Sequence, residues 1–191
     1  MEPALEEQVW ILQSVQGDSQ AFAQLVSRYQ RQVYNLAYHM LGNAEDAEDA
    51  TQEAFLRAYV ALPSFQLGKK FSSWLLSIAS NLCIDILRRR RFAWLSLEDV
   101  SFRLVSPSEE PTKGLLRQEE ARQVQRLLGR LPEKYRLVVI LRYWYDMSYE
   151  EIVETTGLSL NTVKTRLHRA RNMLARAMAE DERCAAELLA S

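Results

Sequence analysis

The sequence predicts an all-α fold: two small helical domains joined by a flexible linker. Three observations carry this expectation. Apolar residues recur at three- and four-residue spacing through almost the whole chain, without strand-like alternation. Glycine and proline are scarce, 6 and 5 of 191 residues, which disfavours a turn-rich β sandwich or a low-complexity chain. The periodicity lapses from about Phe92 to Leu115, where Ser106, Pro107, Ser108, Glu109, Glu110, Pro111 and Gly114 supply linker chemistry. The domains are accordingly expected over 5–93 and 115–180, with a linker over 94–114.

The first clear apolar stripe runs through Phe22, Leu25, Val26, Tyr29, Val33, Leu36, Ala37, Met40 and Leu41. Asp18 or Ser19 caps its start, and Gly42 stands where a helix ends. Asn43 caps the next helix, whose first turn holds Glu45 and Asp46, favourable to the helix dipole. That helix continues through Ala47, Ala50, Ala54, Phe55, Ala58 and Leu62 until Pro63 stops it. Ser64 to Lys70, with Gly68, reads as a loop. A third long helix buries Phe71, Trp74, Leu75, Ile78, Ala79, Leu82 and Ile86 and ends in Arg88 to Arg91. Beyond the linker, helix resumes with Leu116, Ala121, Val124, Leu127 and Leu128. Gly129 is a C-terminal signal, and Pro132 is a first-turn residue of the helix that follows.

Charge is nearly balanced, with 24 Lys plus Arg against 25 Asp plus Glu, but unevenly spread. From Asn161 to Met178 there are Lys164, Arg166, Arg169, Arg171 and Arg176 and no acid, and Arg88 to Arg91 form a second basic cluster. Two local basic patches in a neutral chain point to polyanion contacts at defined places. No apolar run approaches the ~18 residues of a transmembrane helix. The acidic N-terminus does not read as a secretory signal. Cys83 and Cys184 form no CxxC pair, so a reducing, cytoplasmic compartment is expected.

The segment from Met147 to Lys164 is the most informative. Ser148 and Glu151 have capping-box spacing. A short helix then runs to about Thr156, and Gly157 suits a left-handed inter-helix turn. Ser159 caps a second helix, with Leu160, Val163, Leu167, Ala170 and Leu174 inward. Asn161, Thr162, Lys164, Thr165, Arg166, His168, Arg169 and Arg171 remain for the other faces. A helix with a polar start and basic flanks fits the DNA major groove, short polar and basic side chains reading base edges while arginines hold phosphates. Its competitor is a solvated basic helix on an unrelated bundle; the cap, the glycine turn and the acid-free helix agree in register and favour the groove.

In the first domain, Glu45, Asp46, Glu48, Asp49 and Glu53 make an acidic helix, either simply solvated or a dock for a basic partner. Phe65, Phe71 and Trp74 lie beside Ser64, Lys69, Lys70, Ser72 and Ser73, a mixture suited to unstacked single-stranded bases; Phe71 and Trp74 also read as core. Ser73, Ser77 and Asn81 are spaced to form one polar line. No catalytic constellation appears: His39, His168 and the two cysteines are scattered, and there is no phosphate loop or nucleophile elbow. No enzyme, metal, cofactor or small-molecule substrate is expected.

Asp46-Ala47-Glu48-Asp49-Ala50-Thr51-Gln52-Glu53-Ala54-Phe55, followed by Phe71-Ser72-Ser73-Trp74-Leu75 with Ile78, Ala79, Asn81, Asp85 and Arg88, resembles region 2 of the extracytoplasmic-function sigma factors of bacterial RNA polymerase. Leu131-Pro132-Glu133-Lys134-Tyr135-Arg136, Tyr149 to Ile152 and Thr162 to Arg171 resemble their region 4. The resemblance spans roughly 18–178, with the motifs in order. It implies an alternative sigma factor that binds core RNA polymerase and directs transcription initiation. Region 2 would take the clamp helices through Asp46, Asp49, Gln52 and Glu53. It would capture the melted −10 strand with Ser64, Phe65, Lys69, Lys70, Ser73, Trp74, Ser77, Asn81 and Arg88. Region 4 would bind the flap tip and read the −35 duplex with Ser159, Asn161, Thr162, Lys164, Thr165, Arg166, His168, Arg169 and Arg171. An inhibitory anti-sigma protein is implied as a further partner. Val153 stands where the family usually has Ala, and Asn161 where Gly is frequent, so the −35 preference is left open. A stand-alone helix-turn-helix regulator would leave the acidic helix and the aromatic loop without a purpose, and a protein-only adaptor would leave the basic helix unexplained.

Overall fold

The computed structural model describes residues 3–95 and 115–189, all the regular structure within them being helical. The chain divides into two compact units, Met1–Ile86 and Leu87–Ser191. The linker expected over 94–114 falls almost wholly outside the described residues.

In the first unit α1 (Pro3–Val15), α2 (Ser19–Leu41) and α3 (Ala44–Ala61) precede a 3-10 turn (Leu62–Ser64); α4 (Phe71–Leu95) begins here and runs past the division. Asp18 caps α2, its carboxylate accepting from the backbone N–H of Gln20 and Ala21, and Gly42 closes it with φ 91°. Asn43 caps α3 by accepting from Asp46 N–H. Four alanines on α3, at positions 47, 50, 54 and 58, are almost completely buried. Side chains this small let α3 pack closely on Leu25, Val33, Leu36 and Met40 of α2.

Two expectations need amendment here. The periodic reading begins at Phe22 and does not single out α1, which packs on α2 through buried Ile11 and Ser14 while Leu5, Val9, Leu12 and Val15 face outward. With apolar residues on both faces, α1 has no single stripe to read. Nor does α4 stop at its arginines: it continues to Leu95, since no glycine or proline interrupts Phe92 to Leu95.

The second unit holds α5 (Leu115–Gly129), α6 (Glu133–Tyr143), α7 (Tyr149–Thr156) and α8 (Leu160–Leu189). Helix α6 is its centre. Five successive residues, Leu137 to Leu141, are buried, the pattern of a helix covered on all sides. Pro132 sits one position earlier than expected, as the N-cap, its carbonyl accepting from Tyr135 and Arg136 N–H at 2.9 and 3.0 Å. The Arg136 guanidinium donates to the carbonyls of Gly129 and Leu131, both at 3.0 Å, tying the α5–α6 corner. The α6–α7 connection contains Asp146 at φ 47°.

The capping box forms as expected: Ser148 Oγ accepts from Glu151 N–H at 3.1 Å, and the Glu151 carboxylate accepts from Ser148 N–H at 2.9 Å. Gly157 ends α7 at φ 69°. A Cβ there would meet no atom within 4 Å, so Gly157→Ala carries only the backbone cost of a left-handed residue. Thermal or denaturant unfolding of the full chain should show a loss of about 1–2 kcal/mol for Gly157→Ala, with Gly157→Asn closer to the wild type.

Candidate nucleic-acid and protein interfaces

Helix α8 is oriented by what it buries. Val163, Leu167 and Ala170 are at most 1% exposed, as is Ile152 of α7 against which the helix packs. Leu160, expected inward, is 37% exposed; it is the first residue of α8 and stands at the end of the buried stripe. Leu174 is half-buried. Ser159 Oγ accepts from Thr162 N–H at 3.2 Å and shares a 2.8 Å hydrogen bond with Thr162 Oγ1, so Ser159 serves as the cap of α8.

The remaining polar residues separate into two edges. Asn161, Thr162, Thr165, Arg166 and Arg169 line an open groove of about 280 Å³ with Lys134 and Tyr135 from the first turn of α6. Lys134 Nζ lies 5.1 Å from the centre of the Tyr135 ring. The cations beside it, Arg169 first, then Lys134 and Arg166, hold the Tyr135 phenol below its ordinary range. Lys164, His168 and Arg171 lie outside this groove. Arg171 Nε donates to Tyr143 Oη at 3.1 Å, and His168 lies 3.3 Å from the Asn172 amide. Lys134 and Tyr135 are additions that the sequence reading had only as part of a motif; the charge run on α8 alone does not point to them.

In the first unit the loop before α4 rests on an aromatic nest. The Phe65 ring sits 5.5 Å from Phe71 and 5.2 Å from Trp74, and Phe71 lies 5.4 Å from Tyr29. Phe71 is core at 1% exposure, whereas Phe65 and Trp74 are half-buried. Tyr29 is held in turn by a hydrogen bond from its hydroxyl to Glu7 of α1; burial, then that bond, drive its pKa far up. Lys69 and Lys70 are exposed, Gly68 turns the loop at φ 99°, and Ser64 Oγ donates to Ala61 O at 2.6 Å.

The polar line expected along α4 is only partly present. Asn81 is exposed, and Ser77 is half-buried with its hydroxyl donating to Trp74 O at 2.6 Å. Ser73 is buried at 8% exposure. The buried arc of α4 is wider than its apolar stripe, because Leu76, Ser80 and Cys83 are buried as well. Position 73 lies at the edge of that arc. Arg88 is exposed.

The acidic residues of α3 also divide. Asp46 is half-buried and bound by the Asn43 side-chain amide. Glu53 pairs with Arg57 at 2.7 Å across one helical turn. Asp49 and Gln52 are exposed. On the same outward arc stand Leu56 and Val60, 63% and 80% exposed, which the sequence reading did not select. Their signal was available: two apolar residues four apart, off the alanine stripe. Gln52 also borders a groove of about 410 Å³ with Gln30, Arg31, Tyr34, Glu48 and Thr51.

Cys83 is fully buried, and burial pushes its thiol up to about 12, so it is no nucleophile. Among the described residues no helix is long and apolar enough to cross a membrane.

The family model for sigma-70 region 2 matches residues 25–93, and that for sigma-70 region 4 matches 121–174. The chain is 39% identical over 172 residues to the ECF RNA polymerase sigma factor SigW of Bacillus subtilis, covering 86% of this chain and 92% of that protein. It is 34% identical over 182 residues to the ECF RNA polymerase sigma-E factor of Escherichia coli, covering 91% and 95%. Among solved structures, CnrH in complex with the cytosolic domain of CnrY matches with TM-score 0.69 and 28% identity over 92% of this chain and 99% of that one.

The nest and the loop it supports should separate by stability. Phe71→Ala should cost about 3–5 kcal/mol in chemical unfolding. Lys69→Ala and Lys70→Ala should each stay within about 0.5 kcal/mol of wild type.

Proposed function

This chain belongs to the extracytoplasmic-function sigma factors of the sigma-70 family, transcription initiation factors rather than enzymes, and on that premise we propose how its two units divide the work. The carrying observation is the capped helix-turn-helix with its groove-lining basic face. The N-terminal turns of α8 enter the major groove of the −35 duplex. Arg166, with Asn161, Thr162, Lys164 and Thr165, faces base edges, and Arg169 and Arg171 take phosphates, with Ser159 and His168 at the margins.

The first unit binds core polymerase and the melted −10 strand. Asp49, Gln52 and Glu53 offer a polar rim to the clamp helices, Leu56 and Val60 an apolar centre, and Asp46 chiefly shapes the start of α3. Depletion of charge at the centre and polarity at the rim is the usual anatomy of such a contact. Lys69 and Lys70 hold the backbone of the displaced strand, while Phe65 and Trp74 present ring faces to an extruded base. Asn81, Ser77 and Arg88 follow along α4, and Ser64 and Ser73 support the loop from beneath. The second unit also takes the polymerase flap tip. An inhibitory anti-sigma protein is the remaining partner; the solved relative CnrH is bound to the cytosolic domain of CnrY. The place of action is the cytoplasm, with the polymerase.

Two outcomes check this reading. Charge reversal at Asp49 and Glu53, or Leu56→Ala with Val60→Ala, should weaken co-purification with core polymerase without loss of helicity, since exposed side chains add little to stability; unchanged association would contradict the clamp assignment. Lys69→Ala with Lys70→Ala should slow opening of a paired promoter and make it more salt-sensitive, and a pre-melted −10 bubble should restore much of the rate because a few kcal/mol of unstacking are already supplied.

A further inference from the structure

Helix α1 lies outside the stretch that the region 2 family model matches, which begins at residue 25, yet it reaches the loop before α4 by two routes. The first is direct. Helix α1 packs on the 3-10 turn Leu62–Ser64, and the Leu62 carbonyl of that turn accepts from Phe65 N–H at 3.0 Å. The second runs through side chains. The Glu7 carboxylate accepts from the Tyr29 hydroxyl, and the Tyr29 ring lies 5.4 Å from Phe71. Phe71 in turn lies 5.5 Å from both Phe65 and Trp74.

The α1 end of this second route is held firmly. Arg28 Nε stands 4.0 Å from the Glu7 carboxylate, and the Arg28 guanidinium lies 5.8 Å from the centre of the Trp10 ring. Glu7 thus meets two successive residues of α2, which fixes where α1 sits along that helix. Its side chain is only 19% exposed, and a largely covered carboxylate is costly to leave without its partners. At the other end, Phe71 is fully enclosed, so its ring keeps its tilt only while its neighbours keep theirs. Neither Glu7 nor Tyr29 suits contact with a nucleic acid. One is an anion, which repels phosphate, and the other is buried at 8% exposure.

We propose that Glu7 and Tyr29 are positioning residues for capture of the extruded −10 base: their hydrogen bond holds α1 against α2, and the contacting rings of Tyr29 and Phe71 carry that restraint to Phe65 and Trp74. This role rests on the assignment of the loop before α4 to the melted −10 strand. It adds a helix outside the region 2 match to the machinery of promoter opening.

The test uses three variants of the full-length chain. Tyr29→Phe keeps the ring on Phe71 and removes only the hydroxyl. Glu7→Ala removes the acceptor, whereas Glu7→Gln supplies an amide oxygen that still accepts. The N–H groups of Phe65, Lys69 and Trp74 donate to Leu62, Gln66 and Lys70 carbonyls, and their hydrogen exchange reports how firmly the loop is held. Followed by NMR, it should quicken about three- to tenfold in Tyr29→Phe and Glu7→Ala. Holoenzyme assembled with either variant should bind a single-stranded oligonucleotide carrying a −10 element from mapped starts more weakly by roughly the same factor. Affinities for core polymerase and for a −35 duplex should stay at wild type, which a general loss of folding would not allow. Glu7→Gln should behave as wild type, and Glu7→Ala with Tyr29→Phe should be no weaker than either alone. Wild-type strand affinity in Tyr29→Phe and Glu7→Ala, equal losses for strand and core polymerase, losses that multiply in the double variant, or a Glu7→Gln as weak as Glu7→Ala would each overturn the role. Lys69→Ala with Lys70→Ala on the same oligonucleotide separates the two levels. If that variant weakens strand binding while Tyr29→Phe does not, the positioning role fails and the loop assignment stands. If the lysine variant also binds as wild type, the loop assignment fails and the positioning role with it.

Discussion

The packing of α7 on α8, with Ile152, Val163 and Leu167 all buried and the left-handed turn at Gly157 ending α7, is what the DNA-reading half of the molecule depends on. Helix α7 has eight residues, too few to be stable in water alone. It persists because its capping box satisfies orphan backbone groups and because Ile152 is completely buried. Once α7 and the five buried residues of α6 hold the inner stripe of α8, the outward direction of every other α8 side chain follows from helical geometry. The basic character of that outward face determines what the helix can bind, while the apolar stripe determines which face is outward.

The first unit solves a different problem, that of anchoring the exposed loop before α4 without making it part of the core. Phe65 does this by lying across Phe71 and Trp74. The chain of contacts continues inward from Phe71 to Tyr29 and from Tyr29 to Glu7, so α1 is tied to the floor beneath the loop. The lysines at 69 and 70 are exposed on this loop. On α3, alanines on the inner side bring the helix close to α2, which leaves Asp49, Gln52, Leu56 and Val60 as an outward ridge.

Much of this was legible in the sequence. Capping residues, the Gly42 and Gly157 turns and the inward positions of α2, α3 and α8 follow from periodicity and local backbone chemistry. What was not legible depended on tertiary packing. Ser73 is buried because α4 is covered over more than half its circumference, which apolar spacing alone does not reveal. Leu160, at the start of the α8 stripe, is 37% exposed. Helix α1 carries apolar residues on both faces. Tyr135 of α6 and Arg169 of α8 line one groove although 34 positions separate them by their numbering, and only the α6–α8 packing brings them to it. The outward Leu56 and Val60 were visible in principle, but an apolar residue invites assignment to the core until the core is seen to be full.

The most direct measurement of the central claim, that one chain carries two separate promoter readers for the polymerase, is run-off transcription by core polymerase with and without the full-length chain. The template is a promoter defined by mapped starts, with the −35 and −10 elements scrambled one at a time. The account predicts a transcript that requires the chain and falls sharply when either element is scrambled, with pre-melting able to rescue only the −10 defect. A transcript of equal strength on the intact and doubly scrambled templates, or one that core polymerase makes without the chain, would contradict it.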